Sequence, residues 1–141
     1  MTSKTIHVDI VSAEGEIFSG PAKMVFLPAA EGEVGIAPQH APMLSLLKAG
    51  EVRVQPVEGS EQSFYVGGGA LEVQPSKVTV LADTAARAAD LDEAAALAAR
   101  ARAEEALAGK IDKIDQAEAL AELARAAAQL KLIERLRKIR G

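Results

Sequence analysis

The position of the helix-breaking residues divides this chain of 141 residues into two parts. All 6 prolines and 9 of the 11 glycines fall within residues 1–84, together with every aromatic residue. Residues 85–141 contain no proline, and 20 of their 57 residues are alanine. Proline and glycine interrupt helices, whereas alanine has the highest helix propensity. We therefore predict a β domain over residues 1–84 and a helical domain over residues 85–141.

The first part has the pattern of strands separated by turns. Residues 5–11 alternate, so that Ile6, Val8 and Ile10 share one face. Further apolar runs follow, with turns that contain glycine or proline between them. No helical stretch separates these runs, which argues against a parallel βαβ sheet. We predict an antiparallel β-sandwich or barrel of about ten short strands.

The second part has the pattern of a helical hairpin. Asp90 is predicted to cap a first helix that ends near Ala108, with Gly109 as its stop signal. Asp115 is predicted to cap a second helix that reaches towards Ile139. Two helices joined by a short loop lie antiparallel. The second helix carries one apolar stripe, formed by Leu120, Leu123, Ala127, Leu130, Ile133 and Leu136.

The first helix offers mainly alanine to the interface, with Ala94, Ala98 and Ala101 on one side. Alanine allows close approach but buries little area, since a buried CH₂ group contributes only about 0.8 kcal/mol. High intrinsic helicity together with weak burial is compatible with a hairpin that opens without melting. It is equally compatible with a rigid hairpin, and the sequence leaves both alternatives open.

The sequence lacks the residues that several kinds of functional site require. The chain has no cysteine, and its low aromatic content of 3% argues against recognition of nucleic acid by base stacking. His7 and His40 have no metal-site spacing, and a strand-like run follows the glycines at 67–69, which argues against a phosphate loop. No apolar run of about 18 residues could span a bilayer, and residues 1–4 lead into no signal core. We expect no catalytic or metal site, no nucleic-acid partner and a cytoplasmic location.

The formal charge of −4 is unevenly distributed. Residues 1–84 carry a net charge of −5 and residues 85–124 carry −4, whereas residues 125–141 carry +5. Basic residues near a helix C-terminus complement the helix dipole, and they also suit docking onto an acidic partner. The basic side chains are Arg125, Lys131, Arg135, Arg137, Lys138 and Arg140.

Six segments together resemble one family. The chain is similar to bacterial epsilon subunits of the F-type ATP synthase, in order and over nearly its whole length. The segment at residues 31–44, EGEVGIAPQHAPML, is the most recognisable. The other segments are residues 6–14, 68–73, 78–85, 90–94 and 121–126.

The resemblance implies a rotor subunit rather than an enzyme. It implies a β-sandwich attached to the gamma subunit and the c-ring, and a helical hairpin that alternates between a compact form and a form extended into the alpha/beta catalytic head. Extended, the hairpin would suppress ATP hydrolysis, with its basic residues near an acidic segment of the beta subunit. The candidate contacts with gamma and the c-ring are Glu31, Gly32, Glu33, Gly35, His40, Ala41 and Pro42.

Some members of the family bind ATP through an Ile/Leu-Asp-x-x-Arg-Ala motif at the start of the first helix. This chain has Leu91 and Asp92, but Ala95 stands where the arginine would be, before Ala96. Arg102 and Arg125 match later phosphate-side arginines, whereas Gln129 replaces another. Losing a charged hydrogen-bond donor typically costs about 1.5–3 kcal/mol, or roughly ten- to a hundredfold in affinity. The resemblance therefore implies no cofactor and at most weak ATP binding.

The location that the resemblance implies is the cytoplasmic face of the bacterial inner membrane, where the chain would be peripheral and held only through the complex. A free-standing nucleotide-sensing switch module is the second interpretation, and the substitution at Ala95 counts against it. A stand-alone hydrolase comes last, because no nucleophile–base arrangement is visible.

Overall fold

The computed structural model describes residues 4–140, except for the side chain of Arg140. The chain divides into two compact units, of which the first ends at Arg87 and the second begins at Ala88. The first unit is a β-sandwich and the second consists of two helices, which confirms the predicted fold class.

Seven strands make up the first unit over the residues that the structure describes, fewer and longer than the ten expected. Several glycine- and proline-containing segments expected to be turns, such as Gly20-Pro21 and Gly50, lie inside strands because both keep partners in the neighbouring strand. A last short strand also follows Thr84. The strands are β1 (Ile6–Ser12), β2 (Gly15–Ala29), β3 (Gly32–Ile36), β4 (Met43–Pro56), β5 (Gln62–Gln74), β6 (Lys77–Ala82) and β7 (Ala85–Arg87).

The strand order is β1-β6-β5-β4-β2-β3, and β1 also pairs with β2, so that the sheet closes on itself. β7 pairs with β5 beside this path. The pairing of β1 with β6 is parallel, which differs from the fully antiparallel arrangement expected. A parallel pair needs a long connection, and the four strands between β1 and β6 supply it.

The core of the sandwich is mainly aliphatic and includes the ring of Phe64. Alternate residues of β1 point inward, as predicted for Ile6, Val8 and Ile10, which are fully buried. The ring of Phe64 is also fully buried and lies 5.4 Å from that of Phe18, centroid to centroid. Over the described part of the chain, the buried residues include no charged or polar ones apart from Tyr65, so the sandwich holds no enclosed polar centre.

The second unit contains a 3-10 turn (Ala88–Asp90), helix α1 (Glu93–Ala108) and helix α2 (Lys113–Arg140). Asp92, rather than Asp90, caps α1, because its side chain accepts a hydrogen bond of 3.2 Å from the Ala95 backbone N–H. Asp112, rather than Asp115, caps α2 in the same way, with 2.8 Å to the Asp115 N–H. In each case the capping aspartate lies three residues before the N–H that it binds, as an N-cap requires.

The two helices pack through small residues. Ala96 and Ala103 of α1 and Ala119 and Ala126 of α2 are buried, and each pair is seven residues apart. We call these four residues the alanine seam. The expected contact face of Ala94, Ala98 and Ala101 is exposed instead.

The expected stripe of α2 is also displaced, because small residues occupy the centre of the interface and allow the helices to approach closely. Leu120 is 50% exposed and Ala127 is exposed, whereas Leu132 is buried. The remaining members of the stripe are half-buried beside the seam: Leu123, Leu130, Ile133 and Leu136.

Candidate interaction surfaces

The segment with the most recognisable sequence begins at the β2–β3 turn. Glu31 is exposed in that turn, Gly32 and Gly35 lie in β3, and Glu33 accepts a hydrogen bond of 3.2 Å from Arg53 of β4. The Arg53 guanidinium also lies 4.4 Å from the centroid of the Phe26 ring. Arg53 therefore fixes the direction of the Glu33 carboxylate, whereas Glu31 projects from the tip of the hairpin.

Hydrogen bonds connect the loop between β3 and β4 to the rest of the sandwich and within itself. Gln39 has a φ of 68°, and its N–H donates to the Pro75 carbonyl oxygen at 2.8 Å. The half-buried His40 contacts the Ala41 carbonyl oxygen through Nδ1 at 2.7 Å, which places the proton on Nδ1. Ala41 and Pro42 are exposed. The predicted contact residues thus lie on one hairpin and the loop that follows it.

An apolar surface that sequence reasoning missed continues from this loop. Leu44 and Leu46 of β4 are 78% and 70% exposed, and Leu81 of β6 is 56% exposed. Leu46 pairs with Ala70, which pairs with Leu81, so these residues form a row across three strands. We call Leu44, Leu46 and Leu81 the apolar patch. Exposed large aliphatic side chains that lie together are typical of contact surfaces, which makes the patch a candidate contact surface.

The signal for the apolar patch was present in the sequence. A strand with one solvated face alternates between apolar and polar residues. The run Met43-Leu44-Ser45-Leu46-Leu47 is apolar on both faces instead. A shallow groove of about 470 Å³ lies beside the patch, and its lining includes Gly68, Gly69 and Asp83.

A polar cluster on the outer face of β1 has a structural role. Ser19 Oγ donates to Asp9 Oδ1 at 2.6 Å, His7 Nε2 lies 2.8 Å from the same oxygen, and Lys77 Nζ lies 3.1 Å from Asp9 Oδ2. The hydrogen bond from Ser19 contributes most to lowering the pKa of Asp9. Because the Ser19 hydroxyl donates to the carboxylate rather than to the imidazole, this is not an activated nucleophile. The cluster ties β1 to β2 and β6.

The glycine run at 67–69 lies inside β5, where that strand exchanges one neighbour for another. Before the run β5 pairs with β7, and from Gly69 onward it pairs with β6. The Gly67 N–H donates to the Thr84 carbonyl oxygen at 2.8 Å, and the Asp83 N–H donates to that of Gly68 at 2.9 Å. These backbone groups are therefore engaged within the sheet, and the run continues as a strand.

The candidate nucleotide residues are dispersed over the hairpin. Asp92 uses its carboxylate to cap α1, and Ala96 belongs to the alanine seam. Arg102 binds Glu122 of α2 at 3.2 Å, and Arg125 is half-buried. Leu91 lines a cavity of about 250 Å³ together with residues that include Ile133, Leu136 and Arg137.

The basic residues of α2 do not form a single surface. Lys131, Arg135 and Lys138 follow one another at intervals of four and three residues and so share a face. Arg137 lies on another side and contacts Glu93 of α1 at 2.7 Å. The side chain of Arg140 lies outside the described part of the structure.

Residues 4–140 contain no group of three or more His, Asp or Glu side chains placed to hold a metal ion. Within the same range, no helix is both long and apolar enough to cross a lipid bilayer.

The two units match two family models in order. Residues 5–88 match the β-sandwich domain of the ATP synthase delta/epsilon chain, and residues 89–134 match its long α-helix domain. The ATP synthase epsilon chain of Nitrosococcus oceani is 66% identical over 137 residues, which cover 97% of this chain and 98% of the relative. That of Alkalilimnicola ehrlichii is 63% identical over 134 residues, covering 95% and 96%.

Solved structures share the fold at low identity. A chain in a structure of the Euglena gracilis mitochondrial ATP synthase aligns with a TM-score of 0.71 and 17% identity, covering 100% of this chain and 84% of that one. A chain in the central stalk and c-ring structure of the Tetrahymena thermophila mitochondrial ATP synthase aligns with a TM-score of 0.62 and 12% identity, covering 94% and 99%. With both domains matched in order and relatives of this identity over nearly the full length, the chain belongs to the ATP synthase epsilon family.

Proposed function

We propose that this chain is a non-catalytic subunit of the central stalk of a proton-translocating F-type ATP synthase. The observation that carries the proposal is similarity at 66% identity over 97% of the chain to an ATP synthase epsilon chain. In this proposal the polar residues His7, Asp9 and Ser19 of the sandwich have a structural role, since they bind one another across β1 and β2. The chain would reside peripherally on the cytoplasmic face of the bacterial inner membrane through its complex.

In this proposal the first unit attaches the chain to the rotor. The apolar patch would dock on the gamma subunit, because three large aliphatic side chains are more than half exposed on β4 and β6, the two strands that flank β5. Glu31, His40, Ala41 and Pro42 would lie towards the c-ring and gamma. Arg53 would keep Glu33 oriented in the same region.

Substitution of Leu46→Asp and Leu81→Asp together is expected to remove the chain from the assembled enzyme. Two buried charges would replace two apolar contacts. Burying a leucine side chain contributes about 1.5–3 kcal/mol, on the order of ten- to a hundredfold in affinity, and burying an unpaired carboxylate carries a further cost. Copurification with the gamma subunit measures the effect. Val57→Asp serves as the control, because Val57 is an exposed apolar residue outside the patch. Equal copurification of both variants would contradict docking through the patch.

The second unit would inhibit ATP hydrolysis when it extends into the catalytic head. The charge of +5 over residues 125–141 suits an acidic segment of the beta subunit. The alanine seam would make opening feasible, because four of the five buried residues described in the two helices are alanines, each of which buries little area, and because the helices have high propensities of their own.

We expect ATP binding to the chain to be weak or absent. Ala95 occupies the place of the arginine in the family motif, and Asp92 already accepts a hydrogen bond from the Ala95 N–H. Ala95 is exposed, so the substitution Ala95→Arg adds a donor without disturbing the seam. Calorimetry should show no micromolar binding for the unsubstituted chain and roughly ten- to a hundredfold tighter binding after Ala95→Arg. Micromolar binding by the unsubstituted chain would favour a nucleotide-sensing role.

A further inference from the structure

Two ion pairs connect the helices of the hairpin. Arg137 of α2 lies 2.7 Å from Glu93 of α1, where the carboxylate accepts a hydrogen bond from the guanidinium. Arg102 of α1 lies 3.2 Å from Glu122 of α2. Both pairs join residues that are distant along the chain, so each can exist only while α1 and α2 lie side by side.

The ion pair between Glu93 and Arg137 lies at the open end of the hairpin, where α1 begins and α2 ends. Glu93 is in the first turn of α1, and Arg137 is near the end of α2, so both charges are favourable for their own helix dipoles as well. The buried residues described in the two helices are the four alanines of the seam, each of which contributes a single methyl group, and Leu132. A charge pair at the open end of such an interface has a larger relative share in holding the helices together than it would over a leucine-rich core.

We propose that Glu93 competes with the catalytic head for Arg137, and that this competition sets how readily the hairpin inhibits. The inference rests on the proposed function, in which the basic residues of α2 dock on an acidic surface. In the closed hairpin Glu93 supplies the carboxylate that the partner supplies in the extended hairpin. Because Glu93 lies on α1, Arg137 contacts it only in the closed hairpin, so closing the hairpin withdraws this arginine from docking.

Neighbouring basic residues differ from Arg137 in this respect. Lys138 lies 3.4 Å from Glu134 in the same helix, so that pair persists whether the hairpin is open or closed. Arg100 and Glu104 form a similar pair within α1, at 3.9 Å. The chain therefore contains matched controls in which the same charges are removed without loss of a contact between the helices.

The expected size of the effect follows from the exposure of the pair. The side chains of Arg137 and Glu93 are 65% and 44% exposed, and solvent-exposed ion pairs typically change an equilibrium by about 1.4- to 5-fold. The substitution Glu93→Gln should therefore raise the ratio of open to closed hairpin by up to about fivefold. It should strengthen inhibition of hydrolysis in the assembled enzyme by a similar factor.

Distances between the helices can be measured in the full chain, which contains no native cysteine. Spin labels attached after Ala98→Cys and Ala127→Cys occupy exposed positions, one on each helix. Glu93→Gln should increase the population with long distances, and Glu104→Gln should not. High salt should reduce the difference between Glu93→Gln and the unsubstituted chain, because it screens the ion pair.

The charge exchange of Glu93→Arg with Arg137→Glu separates closing from docking. It should restore the closed population that Glu93→Arg alone lowers, but it should not restore inhibition, since a glutamate at position 137 repels an acidic partner. The competition is overturned if Glu93→Gln changes the distances no more than Glu104→Gln does. It is also overturned if the exchanged pair inhibits as strongly as the native pair.

Failure of the proposed function would be recognised separately. In that case removal of both helices would leave hydrolysis unchanged, even if Glu93→Gln alters the distances as expected. If removal of the helices releases hydrolysis but Glu93→Gln alters neither distances nor inhibition, the inhibitory role stands and the competition fails.

Discussion

Gly69→Ala is expected to lower the free energy of unfolding of the first unit by about 3 kcal/mol or more. Gly69 has a φ of +139°, a conformation that costs L-residues on the order of 1–3 kcal/mol. An added Cβ would also lie 2.1 Å from the Leu81 carbonyl oxygen and 2.9 Å from Ala82 Cα. Both atoms belong to the backbone of β6, which is hydrogen-bonded to β5 and cannot yield locally.

Chemical denaturation of the full chain measures this loss, and Gly59→Ala provides the control. Gly59 also has a positive φ, of +94°, but no atom lies within 4 Å of the Cβ position. Gly59→Ala therefore tests conformational strain alone, whereas Gly69→Ala adds a collision with the backbone. Equal losses for the two substitutions would show that the close approach of β5 and β6 is not rigid.

The same close approach brings the apolar patch together. Gly69 and Ala70 allow β6 to follow β5 closely, and Leu81 then lies in one row with Ala70 and Leu46. Gly69→Ala should therefore also weaken attachment to the gamma subunit, as a consequence of the disturbed sheet.

The fold class could be predicted from the sequence because two strong patterns follow each other along the chain. Alternation in residues 5–11 and the alanine-rich second part each correspond to one type of structure. The number of strands could not be predicted, because glycine and proline mark bends as well as ends. β2 continues through Gly20-Pro21. It pairs with β1 up to Ala22 and with β4 from Ala22 onward.

The helix caps show where the local signal is ambiguous. Asp90 and Asp92 both precede α1, and Asp112 and Asp115 both stand near the start of α2. The residue types are equivalent, so the cap depends on where the helical backbone begins, which packing against the other helix determines. The alanine seam was misplaced for a related reason, since α1 has alanine on almost every side and no apolar stripe distinguishes one face.

The resemblance identified the segment that contains the candidate contact residues. Their individual positions could be found only from the structure. Glu31 and Glu33 are equivalent by residue type, yet Arg53 binds Glu33. The row formed by Leu46 and Leu81 depends on the register of three strands, and that register is not a property of either segment alone. Among the basic residues, the pairing of Arg137 with Glu93 depends on how α1 and α2 pack.

Removal of the second unit is expected to raise ATP hydrolysis by the assembled enzyme while assembly and proton-coupled synthesis persist. The chain should end at Arg87 rather than at Thr84, because β7 pairs with β5 and Arg87 donates a hydrogen bond of 3.2 Å to the Ile17 carbonyl oxygen. The Arg87 guanidinium also lies 5.6 Å from the centroid of the Phe64 ring. The shortened chain thus keeps the whole sandwich and its apolar patch.

A second variant separates the effect of the basic side chains from the effect of the helices themselves in the same enzyme. It replaces Arg135, Arg137, Lys138 and Arg140 with alanine and retains both helices. Electrostatic docking predicts that inhibition falls in this variant at low salt, where charges are least screened. Inhibition that remains unaltered at low salt would contradict docking through these four residues.

The most direct test of the central claim is the rate of ATP hydrolysis by the assembled enzyme with the chain ending at Arg87, compared with the full chain. Coupling free energies between sites are typically 1–3 kcal/mol, which predicts an increase of about fivefold or more with unchanged copurification of the gamma subunit. An unchanged rate in a fully assembled enzyme would contradict an inhibitory role of the helical hairpin.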